Sequence, residues 1–357
     1  MTLFKKLALS VALVLPVAAV NADTISPETY AATLAVGESV TITKTVTIEE
    51  SVTSGVLDVV FLIDTSGSMG SVISAAKAAA ANLLTGLAGF GDLATGTGYY
   101  SEPGSALNTD LTTDEVAGVA AINAINLYDG GGGGDFPEEG IHAVELAAKN
   151  TSWRPGSSRF IIALGDATFK ESDGSTLASA QAALADNDVT FIGIDFGYMT
   201  YTSWGGIDPT VLATASGGSI VSSAISPDAL IASIVAGIND SFATYDKVTV
   251  DDLGAGMPGV GVSVTCLTAD VGACVGDSAV GDFDRSVARS FTFSVTFTGL
   301  ETGTHSFLTH GLVDGGIVAS EKDRITVTGT EVPEPSSLLL LGMGLLGLGL
   351  TRRQFKA

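Results

Sequence analysis

The apolar run Val59-Val60-Phe61-Leu62-Ile63 breaks off abruptly in Asp64-Thr65-Ser66-Gly67-Ser68-Met69-Gly70. A run without polar alternation reads as a buried strand of the parallel type, and the Ala-rich apolar stretch 72–84 that follows reads as a helix packed on its sheet. The break therefore falls where strand hands over to helix, at the carboxyl edge where open α/β sheets bind ligands. Asp64, Ser66 and Ser68 place a carboxylate and two hydroxyls, all hard oxygen donors, at alternating positions of one loop. That is a divalent-cation site in outline. Taken alone, Asp-x-Ser-x-Ser in a chain rich in Ser and Gly is equally an Asx turn or a helix N-cap, so the context carries the reading.

Two further segments supply donors. Phe160-Ile161-Ile162-Ala163-Leu164-Gly165 is a second buried strand and ends in Asp166, which places that carboxylate on the same sheet edge. In Gly133-Gly134-Asp135-Phe136-Pro137-Glu138 a glycine loop enters a helix expected over 138–149, from whose start Glu138 would reach an ion.

These segments together resemble a von Willebrand factor type A domain with a metal-ion-dependent adhesion site, over residues 55–240. In that family one loop gives an Asp and two Ser, a second gives Thr or Glu, and a third gives Asp. Those positions correspond here to Asp64, Ser66 and Ser68, to Glu138, and to Asp166. The Asp-Phe-Pro-Glu loop is most similar to the integrin β subunit version. There the Glu replaces the commoner Thr, and the preceding Asp, here Asp135, helps hold a neighbouring calcium. The paired aspartates that form an adjacent site in integrins correspond to Ser71 and Val72, so that pair is missing.

Two neutral hydroxyls beside a few carboxylates leave Mg2+ or Ca2+ underneutralised, with a water-filled position that an acidic group of a partner can take. Such a site binds and does not turn over substrate. A metal hydrolase would add a base poised near neutrality and an oxyanion stabiliser, and the histidines do not offer one: His142 lies on the helix after Glu138, while His305 and His310 fall in a later β-rich region. No Gly-x-Ser-x-Gly elbow is present. The run from Gly130 to Gly134 lacks the Gly-Lys-Ser/Thr ending of a phosphate loop and reads as a flexible hinge.

The chain ends carry an address. Residues 1–22 combine Lys5 and Lys6 with an apolar core and the small-residue site Val20-Asn21-Ala22, the pattern of a secretory signal peptide. At the other end Pro333-Glu334-Pro335 precedes a Leu- and Gly-rich apolar stretch and then Arg352 and Arg353. This tail, 332–357, resembles the PEP-CTERM sorting signal of Gram-negative bacteria. The resemblance implies recognition by an exosortase, transient membrane association through the apolar helix, and delivery to the cell surface, often in species that make exopolysaccharide and biofilm matrix. A plain C-terminal membrane anchor is the rival reading.

A formal net charge of -23 opposes nucleic acid and anionic membranes as partners. The mature body is more acidic still once the lysines and arginines of the two ends are set aside. Cys266 and Cys274 are the only cysteines, and in an exported chain they form a short structural disulfide, since no further Cys or His stands at zinc-ligand spacing.

Helices are expected over 71–84, 113–127, 138–149, 175–186 and 227–239, with strands near Val59, Phe90, Ile162, Phe191 and Ile220. The period is two before this block, at Val40, Ile42, Val46 and Ile48, and again after 240, at Val248 and Val250, from Phe291 to Phe297, and at Ile325 and Val327. The fold class expected is therefore α/β. A doubly wound, mostly parallel sheet is inserted in, or followed by, an antiparallel β-sandwich built from 241–330, to which 24–54 add strands. The aromatic segment 198–204 is a candidate partner contact. Asp277, Asp282 and Asp284 read as solvated loop carboxylates.

The function expected is that of a non-enzymatic, secreted and surface-destined adhesion or matrix protein. It would bind an acidic group of an extracellular protein or an acidic polysaccharide through Mg2+ or Ca2+. Its rivals are a matrix component in which the ion only stiffens the fold, and a metal-dependent hydrolase of extracellular polymer.

Overall fold

A computed structural model describes residues 23–50, 55–134 and 136–329. The signal segment, Asp135 and the tail with Pro333, Glu334 and Pro335 lie outside them. In chain order the elements begin with β1 (Thr24–Ser26), β2 (Thr29–Ala35) and β3 (Ser39–Ile48). An α/β block follows: β4 (Val56–Asp64), α1 (Gly70–Leu87), β5 (Asp92–Tyr100), β6 (Ser105–Thr112), α2 (Glu115–Ala124), α3 (Gly140–Asn150), β7 (Ser158–Gly165), α4 (Leu177–Asp186), β8 (Val189–Asp195), α5 (Thr210–Ala215), β9 (Ile220–Ser222) and α6 (Pro227–Ser241). Strands complete the chain: β10 (Thr244–Asp251), β11 (Val260–Ala269), β12 (Ala273–Val275), β13 (Ser278–Asp284), β14 (Arg289–Gly299), β15 (Gly303–Val313) and β16 (Gly316–Thr328).

The α/β block is one sheet in the order β6-β5-β4-β7-β8-β9. All neighbours are parallel except β5 and β6. The unbroken apolar character of β4 has a direct cause, because both of its faces are covered. Leu57, Val59 and Phe61 pack with Ala76, Ala79, Leu83 and Ile234, from α1 and α6. Val60 and Leu62 point the other way, to Ile141, Val144 and Ala180 of α3 and α4. The buried residues of α1 recur at three- and four-residue spacing, which turns its Ala-rich stripe to the sheet. Caps fix where helices start: Asp114 accepts from Val116 N and Ala117 N at the head of α2, and Ser226 with Pro227 opens α6.

The remaining strands form two facing sheets, β1-β3-β14-β11 and β12-β13-β10-β15-β16-β2. Strands from both sides of the α/β block share them. In the first, β3 pairs with β14 so that Val46 faces Phe291 and Ile42 faces Val295. Alternate residues, Phe291, Phe293, Val295 and Phe297, turn inward to a core closed from the other sheet by Val248, Val250, Ile325 and Val327. A disulfide joins Cys266 on β11, the edge of the first sheet, to Cys274 on β12, the edge of the second. Where the two units meet, Gly55 N donates to Ile317 O at 2.6 Å, and Ile317 N to Gly156 O at 2.7 Å.

Several local expectations are corrected. Phe90 is not in a strand; it sits in the turn after α1, packed on the ring of Phe242, and the strand begins at Asp92. The edge strand β6 and the short helix α5 were not anticipated, and the helix expected over 113–127 is confined to Glu115–Ala124. Glu138 precedes its helix, which starts at Gly140. The sandwich is not wholly antiparallel, because β2 runs parallel to β16 along one edge.

Candidate metal centre

β4 and β7 are neighbours in the centre of the sheet, so their ends deliver Asp64 and Asp166 side by side. The chain leaves β4 toward β5 and leaves β7 toward β8, on opposite sides of this pair, which opens a crevice at the carboxyl edge. Asp64 is fully buried. Its Oδ1 accepts from Ser66 N at 2.8 Å, which curls the loop. Ser66 Oγ and Ser68 Oγ lie 3.2 Å apart, and Ser68 Oγ donates to Asp166 Oδ1 at 3.0 Å. The hydroxyls and carboxylates of two separate loops thus converge.

The electrostatics of this group are those of carboxylates lacking a countercharge. Burial pushes Asp64 up to about 7; hydrogen bonds from Ser66 oppose the rise and the Asp166 charge adds to it. Asp166 is also raised, by burial first and by the Asp195 charge, with the Ser68 hydrogen bond pulling it down. Asp64 Oδ2 is buried with no hydrogen-bond partner. A buried carboxylate oxygen without a donor is costly unless a cation serves it, so the donor set fits a hard divalent ion.

Among the described residues, no three His, Cys, Asp or Glu side chains stand together as a ligand group. The close set is Asp64, Ser66, Ser68 and Asp166. Glu138 stands on the adjoining loop, pinned by its backbone: Glu138 N donates to Thr168 O at 2.9 Å, and Lys170 N donates to Glu138 O at 2.7 Å. Its carboxyl lies against Gly133, where an added Cβ would come 2.6 Å from Oε1.

Hydrogen bonds tie the glycine run to the loops that follow β4 and β5. Gly67 N donates to Gly132 O at 3.0 Å and Gly133 N to Glu102 O at 3.1 Å, while Gly130 N donates to Thr65 Oγ1 at 3.2 Å. Gly132 adopts φ 109°, and a Cβ there would meet the Tyr128 ring at 2.5 Å. The Lys170–Glu102 ion pair ties the same loops together.

Tyr100 forms the floor of the crevice, a role that sequence reasoning missed. Its hydroxyl donates to Leu164 O at 3.1 Å. Burial, and then the charges of Asp64, Asp166, Glu138 and Asp195, hold that hydroxyl well above the usual phenol range. Asp195, also missed, ends β8 and accepts from Gly197 N and Met199 N at 2.7 and 3.0 Å. Asp195 closes an apolar strand, the signal that marks Asp64 and Asp166, whereas Tyr100 closes β5, whose Thr and Gly residues break the apolar run.

Tyr198, Tyr201 and Trp204 are half exposed and pack on one another, with Trp204 ring centroids 4.9 Å from Tyr198 and 5.0 Å from Tyr201. Trp204 also lies 5.2 Å from Phe136, in the loop that carries Glu138. The histidines are engaged elsewhere: His142 Nδ1 is 2.8 Å from Ser175 Oγ, His305 Nε2 2.9 Å from Glu301 O, and His310 Nδ1 2.8 Å from Ser320 Oγ. Asp277 and Asp284 bond their neighbours Ser278 and Ser286.

Residues 331–353 match the PEP-CTERM protein-sorting motif. That motif implies exosortase processing and export to the cell envelope of a Gram-negative bacterium. No helix among the described residues is long and apolar enough to cross a membrane. Similar solved structures include a von Willebrand factor type A protein from Catenulispora acidiphila, with 16% identity, TM-score 0.44, and coverage of 89% of this chain and 75% of that one. An aerotolerance-related membrane protein from Bacteroides fragilis shows 15% identity, TM-score 0.38, and coverage of 51% and 98%. Proximal thread matrix protein 1 from mussel byssus, solved with a zinc-occupied MIDAS motif, shows 13% identity, TM-score 0.41, and coverage of 57% and 48%. No curated protein matches the chain.

Proposed function

We propose that the protein is an exported, surface-destined adhesion or matrix-binding protein. Residues 55–240 act as a von Willebrand type A domain set into a sandwich made of 24–54 and 241–330. Asp64, Ser66, Ser68 and Asp166 hold Mg2+ or Ca2+, Glu138 completes the metal's surroundings from the glycine loop, and Asp135, outside the described residues, is assigned by its sequence position to a neighbouring calcium. The ion supplies an electrophilic position for a carboxylate of an extracellular protein or of an acidic polysaccharide. The protein's own groups orient it: Ser66 and Ser68 give neutral donors, so the ion keeps charge to offer, and the Thr65–Gly130 and Gly67–Gly132 hydrogen bonds set the loop positions. The aromatic trio at 198–204 extends the contact surface beside the crevice.

The observation that carries this reading is the Ser68–Asp166 link beside a buried Asp64 oxygen that no donor serves. The chemistry is that of binding: carboxylates are gathered where a cation answers them, and the histidines are bonded away from the crevice.

Titration calorimetry with Mg2+ and with Ca2+ tests the site, with Asp166→Ala as the control. Capture of material from the bacterial surface matrix, with and without chelator, tests the ligand step. Absence of metal binding to the wild-type protein overturns the site, whereas binding of metal without chelator-sensitive capture leaves the ion a purely stabilising part. Turnover of a matrix polymer that disappears in Asp166→Ala would establish the hydrolase reading instead.

A further inference from the structure

Among the described residues, one cluster of charged side chains interrupts the apolar inward faces of the sandwich strands. On β3 the core positions run Val40, Ile42, Lys44, Val46 and Ile48, and on β16 they run Glu321, Asp323, Ile325 and Val327. Lys44, Glu321 and Asp323 are fully buried, and they come from facing sheets. Lys44 Nζ pairs with Glu321 Oε1, and stands 3.3 and 3.1 Å from Asp323 Oδ1 and Oδ2. Its ammonium also lies 5.1 Å from the centre of the Phe297 ring. The Thr309 hydroxyl, from β15, donates to Asp323 Oδ2. No donor reaches Glu321 Oε2.

Two buried carboxylates share one ammonium here, and their surroundings differ. Asp323 receives a hydroxyl and the ammonium on its two oxygens. Burial pushes Glu321 up to about 7, with the Asp323 charge adding and Lys44 opposing, and its undonated oxygen is that of a group carrying its own proton. The cluster thus sets a carboxylic acid against the Lys44 ammonium, with a second carboxyl group touching the same ammonium, in an interior that excludes water. A buried ion pair adds little stability for its desolvation cost. Held at contact, an amine and an acid reach effective molarities of about 10^5–10^8 M.

We propose that Lys44 and Glu321 join in an intramolecular isopeptide bond, with Asp323 as the proton carrier. The Lys44 ammonium gives one proton to Asp323, and the free amine adds to Cδ of Glu321. The tetrahedral intermediate expels the Glu321 hydroxyl together with the second amine proton, as one water. The third proton stays on the amide nitrogen, and Asp323 ends protonated. Charge and atoms balance without an oxidant or any second enzyme. The bond ties β3, which precedes the α/β block, to β16, the last strand of the sandwich.

Peptide mapping tests this on the full chain, denatured and reduced before trypsin. The expected result is no cut after Lys44, and a branched peptide joining the Lys44 segment to the one ending at Lys322, lighter by one water than their sum. Lys44→Met and Asp323→Ala should give separate, full-mass peptides. Recovery of wild-type protein cut after Lys44, with both peptides unlinked, overturns the proposal and needs no variant to fold. A branch to Asp323 instead of Glu321 overturns the assignment of acceptor. Full linkage in Asp323→Ala overturns the proton-carrier role.

Discussion

Ser68 Oγ donates to Asp166 Oδ1 across 98 positions of sequence, and this single hydrogen bond joins the loops that end the two central strands. Its energetic worth is small, on the order of 1 to 2 kcal/mol. Its geometric worth is larger, since it fixes the separation of donors on which affinity for an ion depends.

Removing a charged donor should cost more than removing a neutral one. Asp64→Ala and Asp166→Ala are expected to abolish measurable Mg2+ binding, and Ser68→Ala to weaken it by about tenfold, or ~1.4 kcal/mol. Calorimetry on the three variants checks the order; equal affinities for Ser68→Ala and Asp64→Ala would contradict the assignment.

Without metal, the protein should be less stable at pH 8 than at pH 5. The Asp64 carboxyl is raised from 3.8 to about 7, so its folded form binds a proton more tightly than the unfolded chain does. Its contribution is fully present below pH 4 and is lost as pH rises through about 7. Saturating Mg2+ or Ca2+ favours the charged form and should flatten that decline. Thermal melts across this range, with and without chelator, and repeated on Asp64→Asn, measure it.

Gly165→Ala places a methyl 2.3 Å from the Tyr100 hydroxyl oxygen and 2.9 Å from Met199 Cε. The floor of the crevice must then shift, at a cost of about 1–3 kcal/mol. A lowered melting temperature together with weaker metal binding is expected. A variant that matches wild type in both would show that the floor does not position the donors.

Arg285 Nη2 and Asp23 Oδ2 form a buried ion pair at 2.7 Å, and Asp23 Oδ1 also accepts from Glu49 N. Arg285→Met strands that carboxylate in the interior and should cost roughly 3–5 kcal/mol. Asp23→Asn in the same background should restore part of the loss, as read by urea denaturation.

Trp204→Ala removes the ring that Tyr198, Tyr201 and Phe136 pack against. Capture of surface-matrix material should fall about tenfold, with metal affinity unchanged. Unaltered capture would place the contact surface elsewhere.

Much of the α/β block was legible because β4, β7 and β8 are covered on both faces, and such strands must be apolar throughout. Their carboxyl ends were equally plain: polar residues can begin only where cover stops, which exposes Asp64 and Asp166 in the sequence. β5 and β6 escaped notice because Gly96, Gly98 and a row of threonines replace the expected apolar residues, and backbone packs where side chains would. At Gly98 an added Cβ would meet Ala106 O at 2.6 Å. Glu138 was placed in a helix because Pro137 reads as a first helical residue. In fact its strand-like bridge to Phe169 holds it outside. Lys44 was legible in principle, as a charge at an inward position of an alternating strand. Its partners lie 277 and 279 positions away, a distance no local pattern spans.

The last strand, β16, is flanked by β15 on one side and by β2 on the other. A pull along its axis through the segment that follows it would load the row it shares with the parallel β2 in shear, so that those hydrogen bonds bear the force together instead of one at a time. The terminus that leads to the sorting tail is thus seated where a β-sheet best resists mechanical force.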